Sequence, residues 1–242
     1  MKRIAVIGDY NPKEESHRLI LESIKDAAAE IQSETEAQWI MSDALDVSGE
    51  HLKHFDGFWF APGSPYRNAD NVLSAIQYAR ENRVPALGTC AGFQHMVIEF
   101  ARNVLGYQDA NSSEMDPDTP HNVIDMMEEQ KTITQMGGTM RRGAYECELV
   151  TGSRTWQAYG EETLIRERHR HRYEFNNQYM DEFEQHGMHC VGINPEADLV
   201  EIVEIPTLKW YIGTQFHPEY SSTVLRPHPL FMSFMKACIE DL

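Results

Sequence analysis

The sequence predicts an α/β fold: an open, mostly parallel, doubly wound sheet with helices on both faces and an added small antiparallel sheet. Three observations lead there. Short apolar runs and helical patterns alternate four times in about 105 residues, the spacing of βαβ crossovers. The first run, residues 2–8, is apolar from Ile4 onward, as a strand buried on both faces is. Past Gly106 the rhythm changes to short strands separated by turn signals.

Taken in order, residues 2–8 form a strand ending at Gly8, and Asp9–Ser16 is a polar loop containing Pro12. His17–Ile31 places Leu19, Ile20, Ile24, Ala27, Ala28 and Ile31 at helical spacing. A second strand is expected at Trp39–Met41, then loop and a weak helix over Ser42–Leu52, then a third strand at Gly57–Ala61. That strand stops at the turn Pro62-Gly63-Ser64-Pro65-Tyr66. Asp70–Glu81 is a helix with Val72, Leu73, Ile76 and Ala79 on one face. A fourth strand from Val84 and a helix over Phe93–Leu105 follow. Residues 107–122 read as loop, and Val123–Met127 and Gly138–Val150 as short strands. Trp156–Glu162 is one helical turn and Asn176–His186 a helix. Gly187–Ile193, Leu199–Ile205 and Trp210–Phe216 are strands, the last two fit to pair, and Phe231–Ile239 is a final helix. No repeat, low-complexity segment or convincing linker divides residues 1–242, so a single domain is expected.

Composition narrows the function. Of 242 residues, 41% are hydrophobic, enough for a sizeable core, and the formal charge is −17, which opposes nucleic-acid binding. Cys90, Cys147, Cys190 and Cys238 are scattered without a CxxC pair, arguing against a zinc cluster or a disulfide framework. No pair among the 11 histidines has metal-ligand spacing in a suitable context, so no metal is expected. The first eight residues read as strand and turn rather than signal peptide, and no apolar run reaches membrane-spanning length. A cytoplasmic setting is the resulting expectation.

The chemistry centres on Val84-Pro-Ala-Leu-Gly-Thr-Cys90-Ala-Gly-Phe-Gln94-His95. A strand, a Gly-x-Cys-x-Gly turn and a helix make a nucleophile elbow. It sets Cys90 at a helix N-terminus, where the partial positive charge favours thiolate. The plainer alternative is a buried structural cysteine. A cysteine nucleophile needs a base, and the base an orienting group. Phe216-His217-Pro218-Glu219 offers both just after a strand, although alone it would be an ordinary surface turn. An oxyanion needs backbone donors: Ala91, next after the nucleophile, and a second from the Pro62–Ser64 turn, Gly63 or Ser64. In the basic run Glu167–Tyr173, alternation puts Arg168, Arg170 and Arg172 on one strand face and His169 and His171 on the other. The arginines are either solvated or positioned to clamp a carboxylate, and the two histidines are structural or exposed.

Together these residues resemble the class I (triad) glutamine amidotransferases, and more narrowly the C-terminal glutaminase domain of CTP synthase. The resemblance covers nearly the whole chain. It is sharpest in Leu87–Gln94, Asn111–Glu114, Gly137–Gly143, Glu167–Asn176, Gln215–Glu219 and His228–Phe231. It implies a flavodoxin-like sheet and a Cys90 thiolate that attacks the glutamine side-chain amide, with His217 shuttling protons and Glu219 orienting it. By position, Gln94 and Glu114 resemble contacts to the amino-acid moiety, Arg172 the arginine near the substrate carboxylate, and Gly63 an oxyanion-hole glycine. No cofactor is implied. The sequence holds no Walker-type loop, so a separate synthetase-like ammonia acceptor is the expected partner, and the oligomeric state, a homo-oligomer included, is left open. The turn Pro62–Asn68 is shorter than the family's Gly-rich one and altered. Two alternatives therefore stand: a hydrolase of another γ-glutamyl compound, or a non-catalytic regulatory homologue.

Overall fold

In the computed structural model, which describes residues 1–126 and 140–240, twelve strands fall into two sheets. β1 (Lys2–Ile7), β2 (Thr35–Ile40), β3 (Gly57–Phe60), β4 (Ala86–Thr89) and β12 (Tyr211–Thr214) pair in parallel, in the order β2-β1-β3-β4-β12. From β12 the same sheet continues through β11 (Leu199–Glu204), β10 (His189–Asn194), β7 (Arg141–Leu149) and β8 (Leu164–His171), every pairing now antiparallel. The small separate sheet holds β5 (Asn111–Ser112), β6 (Asn122–Met126) and β9 (Tyr173–Phe175).

The helices wind both faces, and strand alternation decides which residue meets which. Ile4 and Val6 pack with Ile20 and Ile24 of α1 (Glu15–Glu30) and Phe231 and Phe234 of α7 (Pro229–Ile239). Ala5 and Ile7 face the opposite core, formed with Val72 and Ile76 of α3 (Ala69–Glu81) and Phe93 and Met96 of α4 (Ala91–Asn103). Each face gathers more than twenty buried side chains, and at ~25 cal/mol per Å² this apolar burial is the main stabilising term. Shorter helices are α2 (Gly49–Leu52), α5 (Arg154–Ala158) and α6 (Met180–Gln185).

Three expectations shift. The second strand spans Thr35–Ile40 rather than Trp39–Met41, because as an edge strand pairing only β1 it tolerates the polar residues that hide it in sequence. The segment 107–122 is not wholly loop, since Asn111–Ser112 pairs with β6. The antiparallel pairing expected after Gly106 is divided: the strands from Gly187 onward extend the main sheet, because β12 offers one edge to β4 and the other to β11, and the small sheet is built from β5, β6 and β9. Met127 and Gly138–Thr139, expected in strands, and Gly137–Thr139 of the matched motif lie outside the described residues. Among the described residues no helix is long and apolar enough to cross a membrane.

Candidate active site

Parallel pairing of β4 with β12 brings two strand carboxyl ends together, Thr89 opposite Thr214. One residue past β4 lies Cys90, whose N–H donates to the Thr214 carbonyl at 2.8 Å. Three residues past Thr214 lies His217. Strand order, not sequence proximity, therefore places thiol and imidazole at one rim.

Cys90 has φ 52° and ψ −107°, a conformation L-residues avoid, costing about 1–3 kcal/mol. The strain turns the chain sharply from β4 into α4 and lifts the half-buried thiol into a cavity of about 380 Å³. The turn works only because residue 92 is glycine: a Cβ there would sit 2.0 Å from the Phe60 carbonyl oxygen. Ala91 opens α4, so its N–H belongs to the first helical turn, which lacks intrahelical acceptors.

His217 is buried, and its Nδ1 bonds to Glu219 Oε1 at 2.7 Å beneath the cavity. Burial pushes the imidazole pKa down, but the Glu219 carboxylate and the Cys90 thiolate overcome this and hold it well above the ordinary histidine value. Its buried Nε2 has no partner at full hydrogen-bond geometry, but the Cys90 sulfur is near enough to act on it as a side-chain hydrogen bond that raises its pKa, and Cys90 Sγ also makes a long contact, 3.9 Å, to the Arg170 carbonyl. The edge strand β8 holds both groups by its backbone: the Arg168 carbonyl accepts the His217 N–H at 2.8 Å, and the Arg170 carbonyl accepts the thiol.

Gly63, Ala91, Gln94, Glu114, Arg172 and His217 line the same cavity as Cys90, and Glu219 lies behind His217. The Gln94 Nε2 donates to the Tyr173 carbonyl at 2.9 Å and to Gln215 Oε1 at 3.2 Å. Glu114 is exposed and accepts from Ser64 Oγ at 2.7 Å. Arg172 is exposed at the rim, just past β8.

Sequence reasoning missed part of the wall. His17 and Tyr173 line the cavity, and Glu14 pairs with Arg170 at 2.8 Å at its mouth. His171 also lines it. Burial pushes the His171 pKa well down, helped by the neighbouring charges of His169 and Arg141. His169 and His171 are both buried, joined ring to ring at 2.8 Å, and His169 reaches Glu201 at 3.2 Å, itself 2.7 Å from Arg141. The alternation of β8 signals this inward face; nothing local announced His17. Among the described residues no three His, Cys, Asp or Glu side chains are grouped to hold a metal.

The geometry agrees with known proteins. The family model for class-I glutamine amidotransferases matches residues 15–237. CTP synthase of Bacteroides fragilis is 58% identical over 98% of this chain, and that of Porphyromonas gingivalis 49% identical over 98%. The chain spans about 45% of the length of these relatives. Among solved structures, the glutaminase domain of Trypanosoma brucei CTPS, with bound acivicin, superposes with a TM-score of 0.91 at 30% identity, covering 100% of this chain and 96% of that one. A glutamine amidotransferase of Thermotoga maritima shares the fold at TM-score 0.57 and 15% identity, covering 90% of this chain and 76% of that one. With a family match over most of its length and the family's elbow at the centre of its sheet, this chain belongs to the class I glutamine amidotransferases.

Proposed function

We propose that the chain hydrolyses the side-chain amide of glutamine through a Cys90 thioester and supplies the ammonia to a synthetase-like acceptor. The observation that carries this reading is the convergence of Cys90, His217 and Glu219 where β4 and β12 end side by side. The Cys90 thiolate attacks the amide carbon, and the oxyanion so formed is met by the Ala91 and Gly63 N–H groups. The His217 imidazolium gives its proton to the departing nitrogen, and ammonia leaves. His217 then takes a proton from water, which attacks the thioester; the C–S bond breaks, glutamate is released and the thiolate–imidazolium pair is restored. Glu219 fixes the Nδ1–H tautomer and balances the imidazolium charge. Gln94, Glu114 and Arg172 are assigned the glutamine amino and carboxylate groups, in keeping with their places on the wall.

The acceptor inferred from the relatives is the synthetase activity of CTP synthase, with UTP as the amination target. The test is glutamate release from glutamine by the chain alone and with a candidate synthetase, against Cys90→Ser. Equal rates for the two proteins would end the proposal. The Ser64–Glu114 bond, which engages the carboxylate assigned to the substrate amino group, favours one rival, a hydrolase of another γ-glutamyl amide. A substrate screen with a clear preference for glutamine would remove it.

A further inference from the structure

The turn Pro62–Tyr66 is held by three side-chain bonds, one within the turn and two to other elements. The Tyr66 hydroxyl donates to the Ala61 carbonyl. The His17 ring, from α1, bonds to the Pro62 carbonyl at 3.0 Å. Ser64 Oγ donates to Glu114 beside β5 at 2.7 Å. The middle brace bears most directly on the chemistry, because the Pro62 carbonyl and the Gly63 N–H belong to one peptide unit. In a planar trans peptide these two groups point in opposite directions.

The ring's proton is placed by its neighbours. The Asn11 N–H donates to His17 Nδ1 at 3.0 Å, so Nδ1 is the acceptor and Nε2 carries the hydrogen that the Pro62 carbonyl receives. The ring cannot swing away, since it is buried against Trp39 at 5.1 Å and Tyr10 at 6.1 Å. Gly63 has φ +112°, a region open to glycine, and a Cβ there would stand 3.4 Å from His17 Nε2. Glycine at 63 leaves the peptide free to rotate; the histidine removes that freedom.

We propose that His17 is a positioning residue for the oxyanion hole: by holding the Pro62 carbonyl, it turns the Gly63 N–H away from α1 and fixes it as the second donor to the oxyanion. The assignment rests on the glutaminase reading of the site. His17 gives the proline-containing turn a support from another element, which sets the peptide that Gly63 alone would leave free to rotate. A preset donor is worth more than one that must rotate into place during the reaction.

Two substitutions separate the ring's two bonds. His17→Asn keeps an acceptor where Nδ1 meets Asn11 and removes the donor to Pro62, whereas His17→Gln keeps a donor at the Nε2 position. Three quantities are read in each: kcat and KM for glutamine, inhibition by glutamate γ-semialdehyde, and alkylation of Cys90 by iodoacetamide. The aldehyde adds the thiol across its carbonyl, forming a C–S bond and moving the thiol proton to the oxygen that occupies the hole. Iodoacetamide makes a C–S bond, expels iodide and creates no oxyanion.

The proposal expects His17→Asn to lose ~10²-fold in kcat with KM within about threefold, the scale of losing one oxyanion donor. Aldehyde inhibition should weaken in parallel, alkylation should be unchanged, and His17→Gln should restore most of the loss. A kcat for His17→Asn within about threefold of wild type would overturn it. So would a loss of kcat matched by an equal loss of alkylation, which would mean a collapsed site. If either variant fails to fold, Tyr66→Phe, which releases the adjoining brace, should lower kcat and aldehyde affinity together, and no change in either would overturn the proposal. A wild-type chain that alkylates normally but hydrolyses no glutamine would instead defeat the glutaminase reading itself.

Discussion

The two halves of the main sheet are built on different physics. In the parallel half, β1, β3, β4 and β12 bury apolar side chains on both faces, Ile4, Trp59, Leu87 and Ile212 on one and Ala5, Phe58, Ala86 and Tyr211 on the other. The antiparallel half buries charge: Arg141 on β7, His169 and His171 on β8 and Glu201 on β11, with Glu174 of the small sheet 3.8 Å from Arg141. The first half tolerates modest changes of volume and sets where the strands end. The second brings polar groups to the wall of a cavity and depends on every partner being present. The candidate site lies at the seam, taking its nucleophile and base from the parallel strands and its backbone acceptors from β8.

The largest effect is expected at the seam. Glu219→Gln should lower kcat by ~10²–10⁴-fold by losing the tautomer control and charge balance of His217, with the melting transition retained; steady-state glutaminase kinetics beside calorimetry would show both. Within the sheet, Arg141→Met should cost about 3–5 kcal/mol, because it leaves Glu201 and Glu174 buried without their cation. Denaturant unfolding that shows a loss under about 1 kcal/mol would erase the contrast.

Stability also responds to pH. Glu174 is raised to about 7, chiefly by burial and further by Glu201, with Arg141 opposing. The folded chain therefore holds a proton between about pH 4.5 and 7 that the unfolded chain has released, and this group makes stability fall as pH rises across that window. His95 on α4 is lowered to about 4 by burial, with the Arg102 charge adding and its bond to the Ala91 carbonyl opposing. There the unfolded chain holds the extra proton between about pH 4 and 6.5, so this group makes stability rise with pH. The two slopes oppose one another. Glu174→Gln should steepen the rise and His95→Asn should make it shallower, since His17, His169 and His171, also lowered by burial, keep contributing to it; both are read as unfolding midpoints between about pH 4.5 and 6.5. Smallest of all, Ile212→Val in the parallel half should cost ~0.5–1.5 kcal/mol and leave turnover unchanged.

This division also marks how much was legible in the sequence. The parallel half was readable because apolar runs and helical spacing are local signals, and the elbow around Cys90 because strand, turn and helix are contiguous. The two faces of β8 were readable from alternation, but which of them is buried was left open; the histidines turn inward and the arginines outward. What the arginine run contributes to the thiol and the imidazole was not, because the Arg168 and Arg170 carbonyls carry no mark of residue type. His17 was hidden for another reason: its partner Pro62 lies 45 residues away, and only the pairing of β1 with β3 brings α1 over that turn. The edge strand β2 was misplaced because half-exposed strands need little apolar character.

The Cys90 sulfur and the His217 imidazole share one rim only because β4 and β12 are neighbours. Acid-quenched mass spectrometry of the chain mixed with glutamine tests this most directly. A γ-glutamyl adduct on the Cys90 peptide is expected in the wild-type protein, with its accumulation lost in His217→Asn. Glutamine hydrolysis that persists in Cys90→Ala, or an adduct that forms equally fast without His217, would contradict it.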